Sequence, residues 1–384
     1  MSALAGRQTA AVIALACAAC GAEAQPWQGR LSEGYLQPLL AASCPLGAEL
    51  HEPEAIDLQT TRVPLQGFNP MRKTIGELEF VGGFHLTSPD KRLGGLSGLD
   101  LLDDGRLLMV SDAGDFVWIG LGDDQVTPVS ASIAGMLGKD GQSIRGKSQG
   151  DAEGLAVMDG VALVSFEGDH RVLAFDVGRC GAEARGVAVA DATDDLVPAF
   201  ARQSIDVGRN ESLEALAVTP GWFMLAGLET KAGEASAVSA RAVEAAPEFD
   251  VRIGEGAPPV VGLDVIPHEG GEGGFTAYSL HRSGNAMASE VIVLMETEFV
   301  RDLDQSNLPA RIVSEMDERS RSRFRPMASR KLAVMNVLVS IDNFEGIAAH
   351  RMPDGGIRLY LVSDDNFSKS QRTLLMVYDV AKRN

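Results

Sequence analysis

Three glutamates recur at one position of a repeated sequence pattern and are the strongest candidates for chemistry in this chain. Glu153, Glu214 and Glu345 each precede a short apolar run, and each lies close to a second oxygen-bearing side chain. These neighbours are Asp151, Asn210 and Asn343. Clustered carboxylate and amide oxygens suit a hard cation such as Ca²⁺. Crowded carboxylates without a metal would instead raise the pKa of one member for general acid or base catalysis, and a third alternative is hydrogen bonding to turn amides.

A second set of polar residues ends the outgoing strands of the same repeats. Its acidic members are Asp112, Asp115, Glu167, Asp169, Glu229, Asp364 and Asp365. Its cationic members are His170, Arg171, His281, Arg282 and Arg372. Arginine binds phosphate or carboxylate oxygens through a planar fork of donors, as an anionic substrate would require. The alternative is a set of salt bridges that hold neighbouring sheets together.

Together the two sets predict a site with three kinds of residue. The predicted catalytic residues are Glu153, Glu214, Glu345, Arg171 and Arg372. The predicted substrate-binding residues are Lys147, His170 and Arg282. The predicted metal ligands are Asp112, Asp151, Glu153, Glu214, Asn343, Glu345, Asp364 and Asp365. The expected metal is Ca²⁺, because all of these ligands bind through oxygen.

The elements that must position these residues are short apolar strands separated by Asp-Gly and Gly-rich turns. Turns such as "DDGR", "MDGV" and "DGGI" join pairs of strands and are typical of β-hairpins. Five such units can be aligned, with matching points at Ser97, Glu153, Glu214, Gly262 and Glu345. The spacings are 56, 61, 48 and 83 residues, and the last leaves room for one degenerate unit.

Hairpin units of this size predict an all-β fold, a six-bladed β-propeller of four-stranded antiparallel blades. Matching positions of successive blades converge on one channel mouth, so the three glutamates are expected to meet there. Residues 79–84 are expected to pair near the C-terminal strand and close the ring.

Composition and charge narrow the function classes. The chain has 384 residues, 45% of them hydrophobic, and a formal charge of −19. The length allows a large core, and the charge argues against nucleic acid as a partner because a phosphate backbone would be repelled. We expect a monomer that acts on a small anionic or ester substrate. An anionic substrate would need a bound cation or a local basic patch.

The N-terminal segment predicts export. Residues 1–24 combine Arg7, a short apolar run and the small-residue sequence "AEA", which together read as a signal peptide. Lipidation of Cys17 or Cys20 is an alternative. Residues 25–74 form a proline-containing lead-in, residues 75–384 form the propeller, and no other segment is long and apolar enough to cross a membrane. The expected location is therefore the periplasm or the medium, where Cys44 and Cys180 could pair or remain separate buried thiols.

Six segments in this order resemble the phytase-like family, described as having esterase-like activity of phytase. They are "GGLSGL" (94–99), "GKSQGDAEGLAV" (146–157), "VSFEGDHRV" (164–172), "NESLEALAV" (210–218), "DNFEGIAA" (342–349) and "LVSDDNFSKSQRTLL" (361–375). The resemblance extends from about Ile75 to Val380. It implies a six-bladed propeller, export from bacteria, and a fold shared with the calcium-dependent β-propeller phytases. The chain departs from the family pattern where His281 replaces an acidic residue before Arg282.

Two classes of function follow. The first is an exported hydrolase that cleaves a phosphate or carboxylic ester at the channel mouth with the help of Ca²⁺. The second is a non-catalytic propeller that binds a small molecule or a protein in the periplasm. The resemblance does not decide between them, because one fold can support many functions.

Overall fold

The computed structural model describes most of the chain. The described residues are 33–45, 51–146, 148–168, 170–190, 196–208, 213–219, 223–242, 248–268, 274–283, 291–301 and 324–382. The predicted signal peptide lies outside these residues. None of the helices in these ranges combines the length and apolar character needed to cross a bilayer.

The strands of the described residues form five antiparallel sheets, which are the blades of a propeller. Blade 1 contains β5 (Leu96–Leu101), β6 (Leu107–Ser111), β7 (Asp115–Leu121) and β8 (Pro128–Gly135). Blade 2 contains β9 (Ala152–Met158), β10 (Val161–Phe166), β11 (Val172–Asp176) and β12 (Val187–Ala190). Blade 3 contains β13 (Ala215–Thr219), β14 (Phe223–Ala232), β15 (Ala235–Ala242) and β16 (Glu248–Ile253). Blade 4 contains β17 (Val260–Pro267), β18 (Phe275–Ser283), β19 (Val291–Arg301) and β20 (Phe324–Met335). Blade 5 contains β21 (Asn343–Arg351), β22 (Ile357–Asp364), β23 (Leu374–Val380) and the N-terminal strand β4 (Leu78–Thr87).

The lead-in before β4 packs along the outside of the propeller. Its strands are β1 (Glu54–Ile56), which pairs with β8, and β2 (Gln59–Arg62) and β3 (Thr74–Ile75), which pair with β4. Its helix α1 (Glu33–Ser43) is followed by Cys44, which forms a disulfide with Cys180. Cys180 ends the short helix α2 (Val177–Cys180), which lies between β11 and β12 of blade 2, and α3 (Val197–Arg202) precedes blade 3. The disulfide therefore ties the lead-in to blade 2.

Blade 5 joins the two ends of the propeller, as the sequence predicted. β23 pairs antiparallel with β4, and Tyr378 lies opposite Phe80 while Leu375 lies opposite Phe84. The innermost strands of the blades are β5, β9, β13, β17 and β21. The ring is closed by hydrogen bonds between the first full-length strand and the last one.

The prediction of six blades was wrong, because the described residues form five. The sixth unit had been assigned to the long interval between the repeats at Gly262 and Glu345. The described residues of that interval form the long strands of a single blade: β18 has 9 residues, β19 has 11 and β20 has 12. Sequence spacing could not separate an additional blade from an enlarged one.

An apolar cluster fills each interface between neighbouring blades within the described residues. Aromatic pairs cross two of these interfaces. Phe116 of blade 1 meets Phe175 of blade 2 at 5.1 Å between ring centroids, and Phe223 of blade 3 meets Phe324 of blade 4 at 5.5 Å. Both pairs are edge-to-face, a favoured geometry for aromatic rings. Burial of apolar surface between the sheets is therefore what holds the blades together.

The inner strands approach one another so closely that glycine is required on four of them. A Cβ atom on Gly98 would lie 2.7 Å from the carbonyl oxygen of Glu153, and one on Gly154 would lie 2.9 Å from that of Glu214. The same relation repeats for Gly262 against Glu345, where the approach is closer still, and for Gly346 against Ser97 at 3.1 Å. Gly262 therefore corresponds to the glycines and not to the glutamates, which corrects the matching point in the fourth repeat. The residue of blade 4 at the glutamate position is the apolar Val261.

Two carboxylates also connect inner strands of neighbouring blades. Asp100 accepts hydrogen bonds from the backbone N–H groups of Leu101 and of Val157 in blade 2. Asp264 accepts from Val265 and, at 2.6 Å, from Ala349 in blade 5. Burial raises the pKa of Asp264 to about 7, and burial followed by the charge of Asp264 raises the pKa of Asp100 well above its usual value. The backbone donors oppose this shift, because they stabilise the ionised form.

The glycine contacts predict a large difference between two alanine substitutions. Gly262→Ala places a methyl group against a backbone carbonyl that cannot rotate away, so we expect a loss of about 1–3 kcal/mol of unfolding free energy. The matched control is Gly67→Ala, because no atom lies within 4 Å of the added Cβ, and we expect a change of less than about 1 kcal/mol. Urea unfolding followed by circular dichroism measures both. Equal stability of the two variants contradicts the close-approach explanation.

Candidate functional site

The candidate site is a cavity of about 540 Å³ at the end of the channel where the inner strands begin. It is lined by Ser97, Asp112, Asp151, Glu153, Glu167, Glu214, Glu229, Arg282, Asn343, Glu345, Asp364, Asn366 and Gln371. Eight of these thirteen described residues are carboxylates, and Arg282 is the single cation among them. The wall is therefore strongly acidic, in keeping with the charge of −19 of the whole chain.

The antiparallel pairing of the first two strands in each blade explains why these residues meet. Glu153 lies at the start of β9, Glu345 lies near the start of β21, and Glu214 directly precedes β13. The second strand of a blade runs back to the same end, so its last residues arrive beside them. In blade 5, Asn343 at the start of β21 lies opposite Asp364 at the end of β22. The first set of polar residues therefore lies where the first strand of a blade begins, and the second set lies beside it, where the second strand ends.

Blade 2 supplies the most crowded group of carboxylates. Asp151, Glu153 and Glu167 each have an oxygen atom within 4.8 Å of the others. Two unit charges at that separation repel by about 3 kcal/mol at an effective dielectric constant of 20. Burial, and then the nearby charges of which Glu214 is the largest, raise the pKa of Glu153 well above its usual value. Three ionised carboxylates at this spacing require a proton or a cation, and an all-oxygen set of this kind fits a hard divalent ion.

Arg282 organises the opposite part of the wall. Its guanidinium Nη2 lies 3.2 Å from Oε1 of Glu345 and 3.3 Å from Oε1 of Glu229. The side chain of Arg282 is 12% exposed and that of Glu345 is 10% exposed, so this ion pair is shielded from water more than the pair with Glu229, whose side chain is 39% exposed. Charge-assisted contacts of this kind hold an arginine in a fixed orientation. Arg282 therefore carries a localised positive charge in an otherwise acidic cavity.

Asn343 links the two carboxylates of blade 5. Its Nδ2 donates to Oε1 of Glu345 at 2.7 Å and to Oδ2 of Asp364 at 3.4 Å. Burial raises the pKa of Glu345 well above its usual value, although the charge of Arg282 opposes the shift. Burial also raises the pKa of Asp364 to about 7, against a hydrogen bond of 2.6 Å from the backbone N–H of Asn366. Asp364 is therefore able to exchange a proton near neutral pH.

Most of the predicted site residues line this cavity. They are Asp112, Asp151, Glu153, Glu214, Arg282, Asn343, Glu345 and Asp364. Glu167 and Glu229 also line it, although the sequence had placed them only in the second acidic set. Lys147, Asp169 and Asn210 lie outside the described residues.

Four predicted site residues are placed away from the cavity wall. Arg372 bonds to Oδ2 of Asp342 at 3.2 Å and to the carbonyl of Ile341 at 3.1 Å. The guanidinium of Arg171 lies over the ring of Phe166 at 4.3 Å and donates to the carbonyl of Gln149. Their contacts fit structural roles, the alternative to substrate binding that the sequence had left open.

The other two of the four are His170 and Asp365. His170 is buried, has a φ of 46°, and does not line the cavity. Asp365 holds a loop: its Oδ1 accepts from the backbone N–H groups of Gly95 and Phe367, both at 3.0 Å, and its Oδ2 accepts from the hydroxyl of Thr373 at 3.0 Å. A carboxylate used in this way organises backbone at the rim.

His281 also differs from its predicted character. The ring is fully buried, with Nδ1 at 2.9 Å from the carbonyl of Pro258 and Nε2 at 2.8 Å from the hydroxyl of Ser279. Burial lowers the pKa of His281 to about 4, so the ring is neutral at physiological pH. A sequence shows the adjacency of His281 and Arg282, but alternate strand residues face opposite sides of a sheet, and only Arg282 lines the cavity.

Asn366 and Gln371 also line the cavity, although neither is among the residues of the predicted site. Both belong to the loop between β22 and β23. The available signal was the unusual length and polarity of that loop, since a plain hairpin needs only two turn residues.

Comparison with known proteins gives one family match and several weak structural likenesses. A family model named Phytase-like, with the description "Esterase-like activity of phytase", matches residues 91–367. A search of the curated proteins finds no match. The family match spans most of the chain.

Three solved structures illustrate the structural likenesses. An oxidoreductase (glucose dehydrogenase) from Thermus thermophilus is 12% identical, with 84% of this chain and 100% of that chain covered and a TM-score of 0.34. The α-L-arabinanase of Cellvibrio cellulosa, complexed with arabinohexaose, is 8% identical, with 86% and 92% covered and a TM-score of 0.38. The hydrazine synthase of Kuenenia stuttgartiensis is 10% identical, with 84% and 80% covered and a TM-score of 0.34. Likenesses of this size carry no functional argument.

The carboxylate crowding in blade 2 predicts that one substitution stabilises the protein when metal is absent and removes its stabilisation by Ca²⁺. In the presence of a chelator, Glu153→Gln should raise the unfolding free energy by about 1 kcal/mol, because it removes repulsion from Asp151 and Glu167. Ca²⁺ should raise the Tm of the unmodified protein but not that of the variant. Differential scanning calorimetry with and without Ca²⁺ measures both effects. Glu255→Gln, which changes an exposed glutamate, is the matched control, and a Tm that no divalent cation shifts contradicts the cation site.

Proposed function

Because the chain belongs to the phytase-like family, we propose that it is an exported hydrolase that cleaves an ester bond in the acidic cavity at the channel mouth. The bond is a carboxylic ester or a phosphate ester. The observation that carries the proposal is the presence of two complementary groups in one cavity of about 540 Å³. One is the three-carboxylate cluster of blade 2, and the other is the half-buried cation Arg282.

The blade 2 cluster is the proposed site for a divalent cation, with Ca²⁺ as the first candidate. Asp151, Glu153 and Glu167 would hold the ion, because their oxygen atoms are close enough to share one. When bound, such an ion supplies a Lewis acid that can polarise a substrate oxygen. The residues of the chain provide the rest of the chemistry.

Arg282 is the proposed contact for the negative charge that develops on the substrate. Its donors are preorganised, because Glu345 and Glu229 hold the guanidinium in place. A preorganised donor stabilises a transition state more than a mobile one does, since it needs no reorientation during the reaction. Glu345 is then a positioning residue, and Asn343 in turn fixes Glu345.

Asp364 is the proposed proton acceptor. It lines the cavity, and its pKa of about 7 lets it take a proton from an attacking water molecule at neutral pH. Burial provides this pKa, because a partly desolvated carboxylate holds a proton more tightly than an exposed one does.

The charge of the cavity favours substrates that carry little negative charge. The positive charges would be one divalent ion and Arg282, whereas the wall holds eight carboxylates, three of which have a raised pKa. A multiply charged phosphate compound would be repelled by the remaining ionised groups. We therefore place a carboxylic ester that carries no negative charge ahead of a polyphosphorylated substrate.

Export is the proposed cellular context. The signal-peptide pattern of residues 1–24 supports it, and so does the disulfide between Cys44 and Cys180, because disulfides persist in oxidising compartments. We place the mature protein in the periplasm or the medium. Mass spectrometry of the exported chain, which should begin near residue 25, checks this location.

A non-catalytic binding protein is the second candidate, and one observation favours it. Among the described lining residues there is no histidine or cysteine, and Ser97 is the only hydroxyl-bearing residue. A nucleophilic triad therefore cannot be assembled from them, so turnover would have to use water directly. The carboxylates of a binding protein would serve to hold a cation or a cationic partner.

Hydrolysis assays distinguish the two candidates. We expect the metal-stripped protein to gain hydrolytic activity toward p-nitrophenyl acetate or p-nitrophenyl phosphate when Ca²⁺ is added. Arg282→Lys should lower kcat/KM about 100-fold, because loss of one preorganised donor has an effect of this size. Arg106→Gln changes a half-buried arginine at the opposite end of the strands and is the control. Calcium-dependent stabilisation without turnover of either compound would support the binding protein instead.

The pH dependence of the same reaction tests Asp364. Activity should rise as the pH passes upward through about 7, because the carboxylate must be ionised to accept a proton. Asp364→Asn should remove this limb of the pH profile, whereas Asp354→Asn, on an exposed turn, should leave it in place. A limb that survives in the Asp364 variant contradicts its role as the base.

A further inference from the structure

An exposed phenylalanine lies at the rim of the acidic cavity, in a loop whose backbone is unusually constrained. Phe367 is 47% exposed, and it directly follows Asn366, which lines the cavity. Both residues have positive φ angles, 48° for Asn366 and 47° for Phe367. Side chains with a Cβ rarely adopt this conformation, because the Cβ atom then crowds the backbone. Surrounding contacts must therefore impose it.

Two adjacent carboxylates impose this conformation. Asp364 accepts from the backbone N–H of Asn366 at 2.6 Å, and Asp365 accepts from that of Phe367 at 3.0 Å. Asp365 also accepts from the backbone N–H of Gly95 in the segment that leads into blade 1. The loop of blade 5 is thus fastened across the blade interface, and the aromatic ring is held in one place.

The ring of Phe367 packs against two glycines, which have no side chain to displace it. A Cβ atom on Gly95 would lie 2.5 Å from Cε2 of Phe367, and one on Gly94 would lie 3.0 Å from the same ring. The Cβ on Gly95 would also collide with Oδ1 of Asp112, a lining residue of the cavity. One part of the ring therefore covers the glycines, beside the Asp112 carboxylate, while Phe367 as a whole remains 47% exposed.

An aromatic face beside carboxylates is a recognition surface for an organic cation. The ring quadrupole attracts a cation over its face, and quaternary ammonium groups are well suited because they are only weakly hydrated. The cavity beyond the ring adds eight carboxylates and one arginine. A neutral apolar group would gain contact with the ring alone, whereas an alkylammonium group gains from both the ring and the acidic wall.

We propose that Phe367 and Asp112 form a subsite for an alkylammonium group, so that the preferred substrate is an ester whose alcohol portion carries a positive charge. This inference rests on the proposed hydrolase function, and it defines the substrate class for the same site. The ammonium group lies at the rim against Phe367, and the ester group lies deeper in the cavity, within reach of Arg282.

A matched pair of probes tests the subsite: choline acetate ester, and its uncharged carbon isostere 3,3-dimethylbutyl acetate. Binding of each to the full-length mature protein is measured by calorimetry, and hydrolysis is measured in parallel. We expect the charged probe to bind at least tenfold more tightly than the isostere. Phe367→Leu keeps an apolar side chain without the aromatic face, and it should weaken binding of the charged probe about threefold to thirtyfold. Asp112→Asn should weaken it in the same direction.

Control measurements separate the possible outcomes. Phe68→Leu changes an exposed phenylalanine, 75% accessible, that does not line the cavity, and it should leave both affinities unchanged. The Tm of each variant confirms that the protein is folded. Equal affinity for the two probes, or no effect of Phe367→Leu, overturns the subsite even if both esters are hydrolysed. Selective binding of the charged probe without hydrolysis supports the subsite and contradicts the hydrolase.

Discussion

The close approach of the inner strands is the constraint on which the rest of this structure depends. Four glycines allow the backbone of one blade to lie against a carbonyl group of the next, and in three cases that carbonyl belongs to a cavity glutamate. The same residues that supply the acidic side chains therefore also supply the backbone contacts that set the width of the channel. A side chain in place of any of these glycines would push a blade outward and move a carboxylate with it. The fold and the site therefore both require the close approach of the inner strands.

Electrostatic repulsion is the second organising feature. The cavity gathers carboxylates that would separate if the apolar interfaces did not hold the blades in place. The structure relieves part of this repulsion with Arg282 and Asn343, and part by raising the pKa of Glu153, Glu345 and Asp364. The remaining negative charge is the basis of the proposed preference for positively charged groups. Perturbed acids that cluster in a cavity are a common mark of a functional site, and here burial and like charge together cause the perturbation.

Much of the fold and of the site could be predicted from the sequence, because matching positions in successive repeats occupy equivalent positions in successive blades. The register of the glutamates placed Glu153, Glu214 and Glu345 together without any knowledge of contacts, and the pairing of the first strand with the last followed from the need to close a ring. The number of blades could not be predicted, since the length between two repeats does not show whether it forms a new sheet or longer strands. The arginines were harder still. Arg171 and Arg282 each stand beside a histidine in the sequence, and only the fold shows that the first lies over Phe166 while the second enters the cavity.

The pairing of β4 with β23 has a consequence for the order of folding. The first full-length strand of the propeller must wait for the last one, which ends at residue 380, before blade 5 can form. Contacts of such large sequence separation form slowly, because most of the chain must be ordered first. The cavity receives Glu345 and Asp364 only with this blade, so their share of the electrostatic cost of assembling the wall arises at the final step. Were the chain exported in an unfolded state, this step would follow translocation, and the site would be completed at its destination.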